Sequence, residues 1–300
     1  MANSNGWGDG AANNAIGWGQ GANNAIGWGD IHADSWAGLT DISGLPTTDP
    51  DAQAFITAAS ITDPTQQSAI NQLVVDLKGY SIWSKMKAIY PFVGGTASTH
   101  KWNLKDPRDL DASFRLQFIN GWTHSNTGAK GNGSDAYANT FFAPNPQLNV
   151  YNTSCSYYSR INVNEGNKPA LGAGTGYTPL TAFAIYSTGS YYGSPDYGAS
   201  QVGFSDINSL GFYSGTRTAI NNAKIYKNGV LRATNTTNPT SLNLTTTKLV
   251  LNAFSASGFI ESFSAKECAF ASIGDGLTDT EAANFYTAVQ AFQVALSRNI

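Results

Sequence analysis

Charged side chains are scarce in this sequence. Asp, Glu, Lys and Arg make up 12% of its 300 residues, well under the roughly 25% of an average soluble domain. The surface must therefore consist mainly of Asn, Thr, Ser and Gly. Such surfaces are typical of extracellular β-proteins and of virion components, and composition alone does not separate these two classes.

Basic residues are absent from the first quarter of the chain. The first Lys or Arg is Lys78. The charged residues that precede it are all aspartates: Asp9, Asp30, Asp34, Asp41, Asp49, Asp51, Asp63 and Asp76. This charge distribution argues against nucleic-acid binding by the N-terminal segment. Two interpretations stay open, namely docking onto a basic protein surface and simple solvation of an acidic segment.

Long hydrophobic runs are missing as well. No apolar stretch reaches the roughly 18 residues that a membrane-spanning helix needs. The start of the chain, Met1 to Asn5, has neither the basic nor the apolar region of a secretory signal. We therefore expect no membrane span, and a protein that folds in a cytoplasm.

Cysteine and histidine are too few for the common metal sites. Cys155 and Cys268 lie in strand-like contexts, and buried free thiols are the expected state, although pairing stays open. His32, His100 and His124 have no metal-ligand spacing to each other or to the cysteines. Each is expected to be a surface residue or a hydrogen-bonded structural residue, with His124 beside Trp122 as a candidate to line a groove.

Glutamate is scarce too, which bears on hydrolysis of glycans. Glycosidases generally need two carboxylates across the scissile bond, and the four glutamates offer no such pair. Glu261 and Glu267 share a strand-like run but lie about 20 Å apart at the strand rise. We expect no enzymatic activity, no metal and no cofactor. The acidic loop residues form no calcium-binding motif: Asp135, Asp196 and Asp206.

A repeated decapeptide is the most distinctive feature that is present. Residues 13–19, Asn-Asn-Ala-Ile-Gly-Trp-Gly, return at residues 23–29, and a shorter copy occupies residues 6–8. In an extended strand one face of this unit is apolar and the other is nearly bare backbone. Such a short glycine-rich unit cannot offset its own ordering entropy. Residues 1–45 are therefore interpreted as a docking or oligomerisation arm, with a flexible Gly/Asn-rich tail as the alternative. The side chains expected to dock are Trp7, Ile16, Trp18, Ile26, Trp28 and Trp36.

Residues 46–95 are predicted to form a small helical collar. Asp63 followed by Pro64 is a helix start signal, and Gly79 is a stop signal. A second, shorter helix is expected over residues 82–90, where Ile82, Trp83, Met86, Ile89 and Tyr90 would form its apolar stripe. The apolar positions at helical spacing in the first helix are Ile70, Leu73, Val74 and Leu77.

Residues 96–275 read as many short strands separated by Gly, Asn, Pro and Ser clusters. Lys227-Asn228-Gly229 predicts a hairpin, because Asn-Gly accepts the positive φ of a type I′ turn. Many short antiparallel strands in about 175 residues indicate a two-sheet sandwich or jelly roll.

Residues 276–300 are predicted to form a helix that packs on the body. Thr278 is the expected N-cap and Glu281 its capping-box partner, while Asp279 favours the positive end of the helix dipole. A trimeric coiled coil is the alternative use of its apolar stripe, which consists of Phe285, Val289, Phe292 and Leu296.

Several stretches resemble known proteins. Residues 223–231 resemble a hairpin of laminin-G-like and concanavalin A-like jelly rolls, as does the run from Phe270 to Thr278 before the closing helix. Together with residues 89–95, residues 103–109 and the repeated arm, the chain resembles structural proteins from phages of Bacteroidetes bacteria. The resemblance covers most of the chain. It implies a virion fibre, spike or appendage whose arm is anchored in the particle, with a homotrimer as the expected assembly.

The resemblance and the composition lead to three functional hypotheses. The first is a virion structural protein whose residues 1–45 bind other virion proteins; the second is an adhesin that binds a host surface glycan; the third, least favoured, is a polysaccharide depolymerase. Exposed aromatics with Asn, Asp or Gly nearby are suited to sugars, although they can equally pad loops or subunit contacts. The candidates are Tyr191, Tyr192, Asp196, Tyr197 and Trp122.

Overall fold

The computed structural model describes residues 48–163, 165–166, 168–175, 181–185, 191–193, 201–238 and 243–300, with the side chains of all these except 175, 181–185 and 191–193. The predicted docking arm, with Trp7, Ile16, Trp18, Ile26, Trp28 and Trp36, lies outside the described residues. Thr48–Ile300 forms one compact unit.

Strands make up most of the regular structure in these residues. In chain order they are β1 Met86–Tyr90, β2 Gln117–Ile119, β3 Thr123–Ser125, β4 Gly128–Lys130, β5 Tyr137–Asn139, β6 Thr153–Ser159, β7 Leu171–Thr175, β8 Thr181–Ile185, β9 Tyr191–Gly193, β10 Val202–Gly203, β11 Gly211–Ala219, β12 Asn222–Lys227, β13 Val230–Asn235, β14 Val250–Leu251, β15 Phe254–Ala256, β16 Phe259–Glu261 and β17 Glu267–Gly274.

Among the described residues, two helices precede the first strand, two short ones lie between strands and one follows the last strand. They are α1 Pro50–Ala58, α2 Pro64–Gly79, α3 Ala97–His100, α4 Pro144–Gln147 and α5 Asp279–Ala295, with 3-10 turns at Trp83–Lys85 and Asp111–Ser113. Within the same residues, no helix combines the length and the hydropathy that crossing a bilayer requires.

The strands form two sheets. Sheet A has the order β13-β12-β11-β6-β17-β4-β3, with β1 also paired to β17. Sheet B has the order β10-β9-β8-β7-β14-β5-β2, with β15 paired to β7 and to β16. Pairing is antiparallel except between β15 and β7. This is the mainly β, jelly-roll-like sandwich with a C-terminal helix that the sequence predicts.

Sheet A is the middle layer of the unit, because its central strands are buried on both faces. In β6, Tyr157 packs into the core shared with sheet B, whereas Tyr158 packs into a second core shared with α1, α2 and α5. Strand β6 is therefore buried along its whole length. Side chains that face solvent on an ordinary sandwich are here covered by helices.

The predicted helix start signals are confirmed. The Asp63 carboxylate accepts a hydrogen bond from the Gln66 N–H (3.0 Å) at the start of α2. Thr278 and Glu281 form the predicted capping box of α5. Asp279 instead binds Lys224 and Tyr226 of β12, which fixes the start of α5 against sheet A. The predicted apolar residues Ile70, Leu73, Val74, Leu77, Phe285, Val289 and Phe292 are buried.

The second helix predicted in the collar is wrong. Residues 83–85 form a single 3-10 turn, and residues 86–90 form β1. Strand β1 pairs with β17, in a register that sets Tyr90 opposite Ala271. A short apolar run satisfies helical and strand patterns equally well, and the available edge of β17 decides the outcome here. The segment predicted as collar therefore supplies a strand to the sandwich.

The predicted hairpin is confirmed at β12 and β13. Lys227 pairs with Val230, and both intervening residues have positive φ, 51° at Asn228 and 73° at Gly229. Cys155 and Cys268 are free and buried, as expected.

Candidate functional site

A cleft opens on sheet B, away from the core between the sheets. Its volume is about 390 Å³, within the range of small-molecule sites. Its lining comes from β5, the segment before β14, β14 itself and the β15–β16 hairpin. The lining residues are Tyr137, Asn139, Thr246, Thr247, Lys248, Val250, Ser255, Gly258 and Ile260.

Strand alternation directs the side chains of β5 into this cleft. Ala138 is fully buried in the core between the sheets, so its neighbours Tyr137 and Asn139 point to the opposite face. Asn139 pairs with Val250 of β14 in the antiparallel register. Val250 and Ser255 are the most buried lining residues, 2% and 5% exposed, and therefore form the bottom of the cleft.

Polar groups that converge on the cleft are not used elsewhere in the described structure. The Tyr137 hydroxyl, the Ser255 hydroxyl and the Thr247 hydroxyl make no hydrogen bond to any described residue. Asn139 uses its Oδ1 to accept from the Phe141 N–H (2.9 Å), which leaves its amide nitrogen available. Buried or half-buried polar groups normally have partners. This set is therefore free to bond a polar ligand.

Lys248 brings the one charge among the lining residues. Its ammonium nitrogen lies 5.2 Å from the centre of the Phe141 ring, within the range of a cation–π contact. The guanidinium of Arg115 lies 5.7 Å from the same ring. Two cationic side chains thus share one aromatic ring at the side of the cleft.

A tight turn forms the opposite wall. Ala256 pairs with Phe259, and the two residues between them have positive φ, 45° at Ser257 and 100° at Gly258. Gly258 allows this turn at little conformational cost. Phe259 in this turn is 77% exposed.

Trp122, a predicted glycan ligand, is a support for the cleft and does not line it. Its indole N–H donates to the carbonyl oxygen of Tyr137 (3.0 Å), and its ring packs on Phe118 and His124. Trp122 therefore fixes the backbone that carries Tyr137.

The side chains of the other predicted glycan ligands fall outside the described part of the chain. Tyr191 and Tyr192 belong to β9 at the far end of sheet B, and their side chains are outside the described part. Asp196 and Tyr197 fall on residues outside it as well. The sugar-binding role predicted for these four residues stays a prediction.

His100 and His124 come together, although 24 residues separate them. Their Nδ1 atoms are 3.0 Å apart. His100 is 1% exposed, and its Nε2 has no hydrogen-bond partner among the described residues. The expectation of a surface or fully hydrogen-bonded residue is therefore wrong for His100. Burial, together with the charges of His124 and Arg298, lowers the pKa of His100 to about 3.

Arg298 next to this pair is buried without a carboxylate partner among the described residues. Its guanidinium donates to the carbonyl oxygens of Pro91 (2.6 Å), Phe92 (2.6 Å) and Ala269 (3.0 Å), and to the Gln293 side chain (2.6 Å). Burial lowers the pKa of Arg298 to about 9. Neutral acceptors alone hold this cation, which ties the segment after α5 to the segment after β1 and to β17.

The glutamates are far from the cleft or are occupied. Glu165 accepts from Ser264 and from the Ala265 N–H, and these bonds, with Lys266, outweigh burial and lower its pKa. Glu267 accepts from Thr127, and Glu281 binds Lys85 (2.6 Å). The described residues contain no group of three His, Cys, Asp or Glu that could hold a metal ion.

Sequence reasoning missed the cleft because no local pattern marks it. Its residues come from three separate stretches, around 137–139, 246–250 and 255–260. The one available signal was Tyr137-Ala138-Asn139, in which a polar aromatic and an amide flank a small core residue at strand spacing.

Comparison with known proteins finds matches only at the level of structure. No family model and no curated protein matches this sequence. Among solved structures, it is similar to domain 4 of an extracellular GH43 arabinanase from Geobacillus stearothermophilus, with 13% identity and a TM-score of 0.40, over 67% of this chain and 98% of that domain.

Two further similar structures are parts of larger proteins. The binding domain of botulinum neurotoxin DC has 15% identity and a TM-score of 0.45, over 70% of this chain and 53% of that one, so this chain spans about half of that domain. The CBM40 domain of a Ruminococcus gnavus sialidase has 12% identity and a TM-score of 0.34, over 45% of this chain and 82% of that one. Similarity at this level concerns β-sandwich architecture and carries no argument about a ligand.

Proposed function

We propose that this protein is a carbohydrate-binding β-sandwich that takes glycans in the cleft of sheet B. The observation that supports the proposal is the convergence of unbonded hydroxyl and amide groups around the exposed side of Tyr137. Ligand sites combine apolar lining with a few placed polar groups in this way.

A sugar ring matches these groups by its own chemistry. Its C–H face stacks on the Tyr137 ring, since aromatic faces attract polarised C–H groups. Its hydroxyls bond to the Asn139 amide and to the Thr247 and Ser255 hydroxyls, replacing water at each group. Ile260 and Val250 exclude water beneath the ring.

Binding without hydrolysis is part of this proposal, because none of the nine lining residues is a carboxylate. Glycosidases generally need two of these groups across the scissile bond. Release of sugars from a host polysaccharide by the pure protein would contradict this part and restore the depolymerase hypothesis.

The test is a glycan array followed by calorimetry on the best ligands. Tyr137→Ala should weaken binding at least about tenfold, given the roughly 1.4 kcal/mol that tenfold corresponds to. Tyr151→Ala is the matched control, since Tyr151 is also half-buried but lies away from the cleft. Silence of the wild-type protein across a broad array, or equal effects of the two substitutions, would overturn the proposal.

We propose, as a second function, a structural role in a phage virion as a homotrimeric fibre, spike or decoration protein. The observation that favours it is the repeated Gly-Trp decapeptide in residues 1–45, which are proposed to bind other virion proteins. Localisation to the virion follows from the same proposal, with the sandwich as the displayed part.

The virion role is tested with a chain that begins at Leu45. This chain should fold yet fail to join particles, because the proposed docking residues are gone. Incorporation at normal copy number would contradict the role of the arm, and binding of glycans by the same truncated chain would be unaffected either way.

A further inference from the structure

The described residues that line the cleft carry a net positive charge. Lys248 is the one charged residue among the nine that line it, and no Asp or Glu lies among them. A cleft with charge of one sign concentrates ligands of the opposite sign. Two ligands with the same hydroxyl groups should therefore bind differently if only one of them carries a negative charge.

Lys248 is set apart from most lysines of this protein by its lack of an acidic partner. Lys78, Lys85, Lys87, Lys101, Lys224 and Lys227 each form an ion pair. Lys248 is exposed and forms none with any residue that the structure describes. Its ammonium group is therefore available to an incoming anion without breaking a bond inside the protein.

The ammonium group of Lys248 is nevertheless held beside an aromatic ring. Its contact with the Phe141 ring, at 5.2 Å, restrains a side chain that would otherwise lose considerable rotamer entropy on binding. Arg115 lies on the same ring, but Asp109 (3.0 Å) and Asp111 (2.9 Å) already bind its guanidinium. Lys248 is thus the cation at this ring that remains for a ligand.

The nearest acidic residue in the opposite wall is directed away from the cleft. Ile260 lines the cleft, so its strand neighbour Glu261 points to the other face of the β15–β16 hairpin. Its register partner is Phe254 and not the lining residue Ser255. An anionic ligand in the cleft therefore does not contact this carboxylate directly.

We infer that the cleft selects glycans that carry a carboxylate or a sulfate group, which Lys248 binds while Tyr137 stacks on the sugar. This inference rests on the glycan binding proposed above and adds the ligand class. A charge-assisted bond of this kind is about twice as strong as a neutral one. The preference should weaken as salt is added, because the pair is exposed.

The experiment measures affinity by calorimetry for two matched pairs of oligosaccharides. One pair is a galacturonan tetrasaccharide and its methyl ester; the other is a sulfated galactan tetrasaccharide and its desulfated form. The wild-type protein should bind at least one charged member about five- to tenfold more tightly than its neutral counterpart, which is the change expected for one exposed charge-assisted bond. The pair that shows the preference identifies the anion.

Lys248→Met and Lys130→Met separate the role of this lysine from total charge. Both lysines are exposed, but Lys130 lies in β4 of sheet A, away from the cleft. Lys248→Met should lower affinity for the charged member to that of the neutral one and leave neutral binding within about twofold, since only the charged bond is lost. Lys130→Met should change neither.

Three results would overturn the inference. If neutral members bind as tightly as charged ones, or if Lys248→Met keeps the preference, selection of anions fails while glycan binding in the cleft stands. If no member of either pair binds, and the array is silent as well, the inference and the proposed function fail together.

Discussion

At the scale of single residues, the least ordinary feature is the group of His100, His124 and Arg298. Protonation of either imidazole would place a second cation beside a buried guanidinium that has only neutral acceptors. Burial in addition disfavours the charged form of both histidines and lowers their pKa values. The folded protein therefore holds this pair neutral near pH 7.

This group predicts acid sensitivity with a defined window. In the folded protein the pKa of His100 is about 3, against 6.5 in an unconstrained histidine, so below pH 6.5 the unfolded chain binds more protons. Stability is therefore present above pH 6.5 and is lost as the pH falls below it. Each pH unit below 6.5 should lower the free energy of unfolding by about 1.4 kcal/mol, which gives a loss of about 2 kcal/mol between pH 7 and pH 5. Urea unfolding at both pH values measures this loss.

His100→Gln is the variant that isolates this effect. It removes the titrating group, so its unfolding free energy should vary much less between pH 7 and pH 5 than that of the wild type. Carboxylates with lowered pKa values, such as Asp49, lose their contribution only near and below their ordinary pKa of 3.8. An unchanged slope in His100→Gln would show that His100 is not the source.

The contact between His100 and His124 could not be predicted from the sequence. Nothing in the spacing of His100 and His124 indicates contact, since α3 and β3 meet only through the folded chain. Arg298 near the end of the sequence gives no sign of being buried either. Burial of polar residues depends on which elements cover them, and the covering layer over sheet A is a tertiary property.

At the scale of elements, the β12–β13 hairpin shows how local signals and tertiary contacts combine. Asn228-Gly229 fixes the turn by its positive φ values, which is why the sequence alone predicts it. The structure adds that the turn packs on α5: a Cβ at Gly229 would lie 2.8 Å from Cδ1 of Tyr286. Glycine is thus needed for the turn and for the contact.

Gly229→Ala should accordingly destabilise the protein by about 2 to 3 kcal/mol, from strain at positive φ and from overpacking. The matched control is Gly258→Ala. Gly258 also has positive φ (100°), but a Cβ there would meet nothing within 4 Å, so only the backbone strain remains. Chemical denaturation of both variants measures the difference, and equal losses would show that the contact with Tyr286 contributes nothing.

Elements with strong end signals were predictable, and elements decided by pairing were not. Helices α2 and α5 can be predicted from the sequence because nearby residues cap their first turns. These residues are Asp63-Pro64 for α2 and the Thr278–Glu281 capping box for α5. Strand β1 has no such signal. Its assignment depends on β17, which lies far away in sequence, and on the helices that bury its other face.

At the scale of the whole molecule, the described residues of both hydrophobic cores come from one unit. Within the described part of the chain, the core between the sheets draws on residues 88–273 and the core beneath the helices on residues 52–292. The described lining of the cleft likewise comes from residues 137–260. Fold and proposed binding site therefore belong to the compact unit Thr48–Ile300.

A chain that begins at Leu45 should consequently unfold in one cooperative transition, with a free energy within about 0.5 kcal/mol of the full-length protein, as for changes outside any core. Calorimetric or urea unfolding of both chains provides the measurement. Loss of cooperative unfolding on truncation would mean that the arm is a structural part of the sandwich.

The general class of this molecule could be read from its sequence, whereas its candidate site could not. Alternating patterns and turn residues suffice for a mainly β sandwich, because they act over a few residues. The cleft needs β5, β14 and β15 to be neighbours, and that order follows from pairing across more than a hundred residues. The position of Tyr137 in the cleft can therefore be recognised only in the assembled sheets.

The hydrogen bonds of Arg298 also have a consequence for folding during translation. Its guanidinium bonds to Phe92, which precedes it by 206 residues, and β17 must arrive before β1 has a neighbour. While the ribosome is still producing the late residues, the early strands are already outside it with unpaired edges. Newly made chains should thus remain dependent on chaperones until Arg298 has left the ribosome, and premature stops just before its codon should yield aggregates instead of smaller folded products.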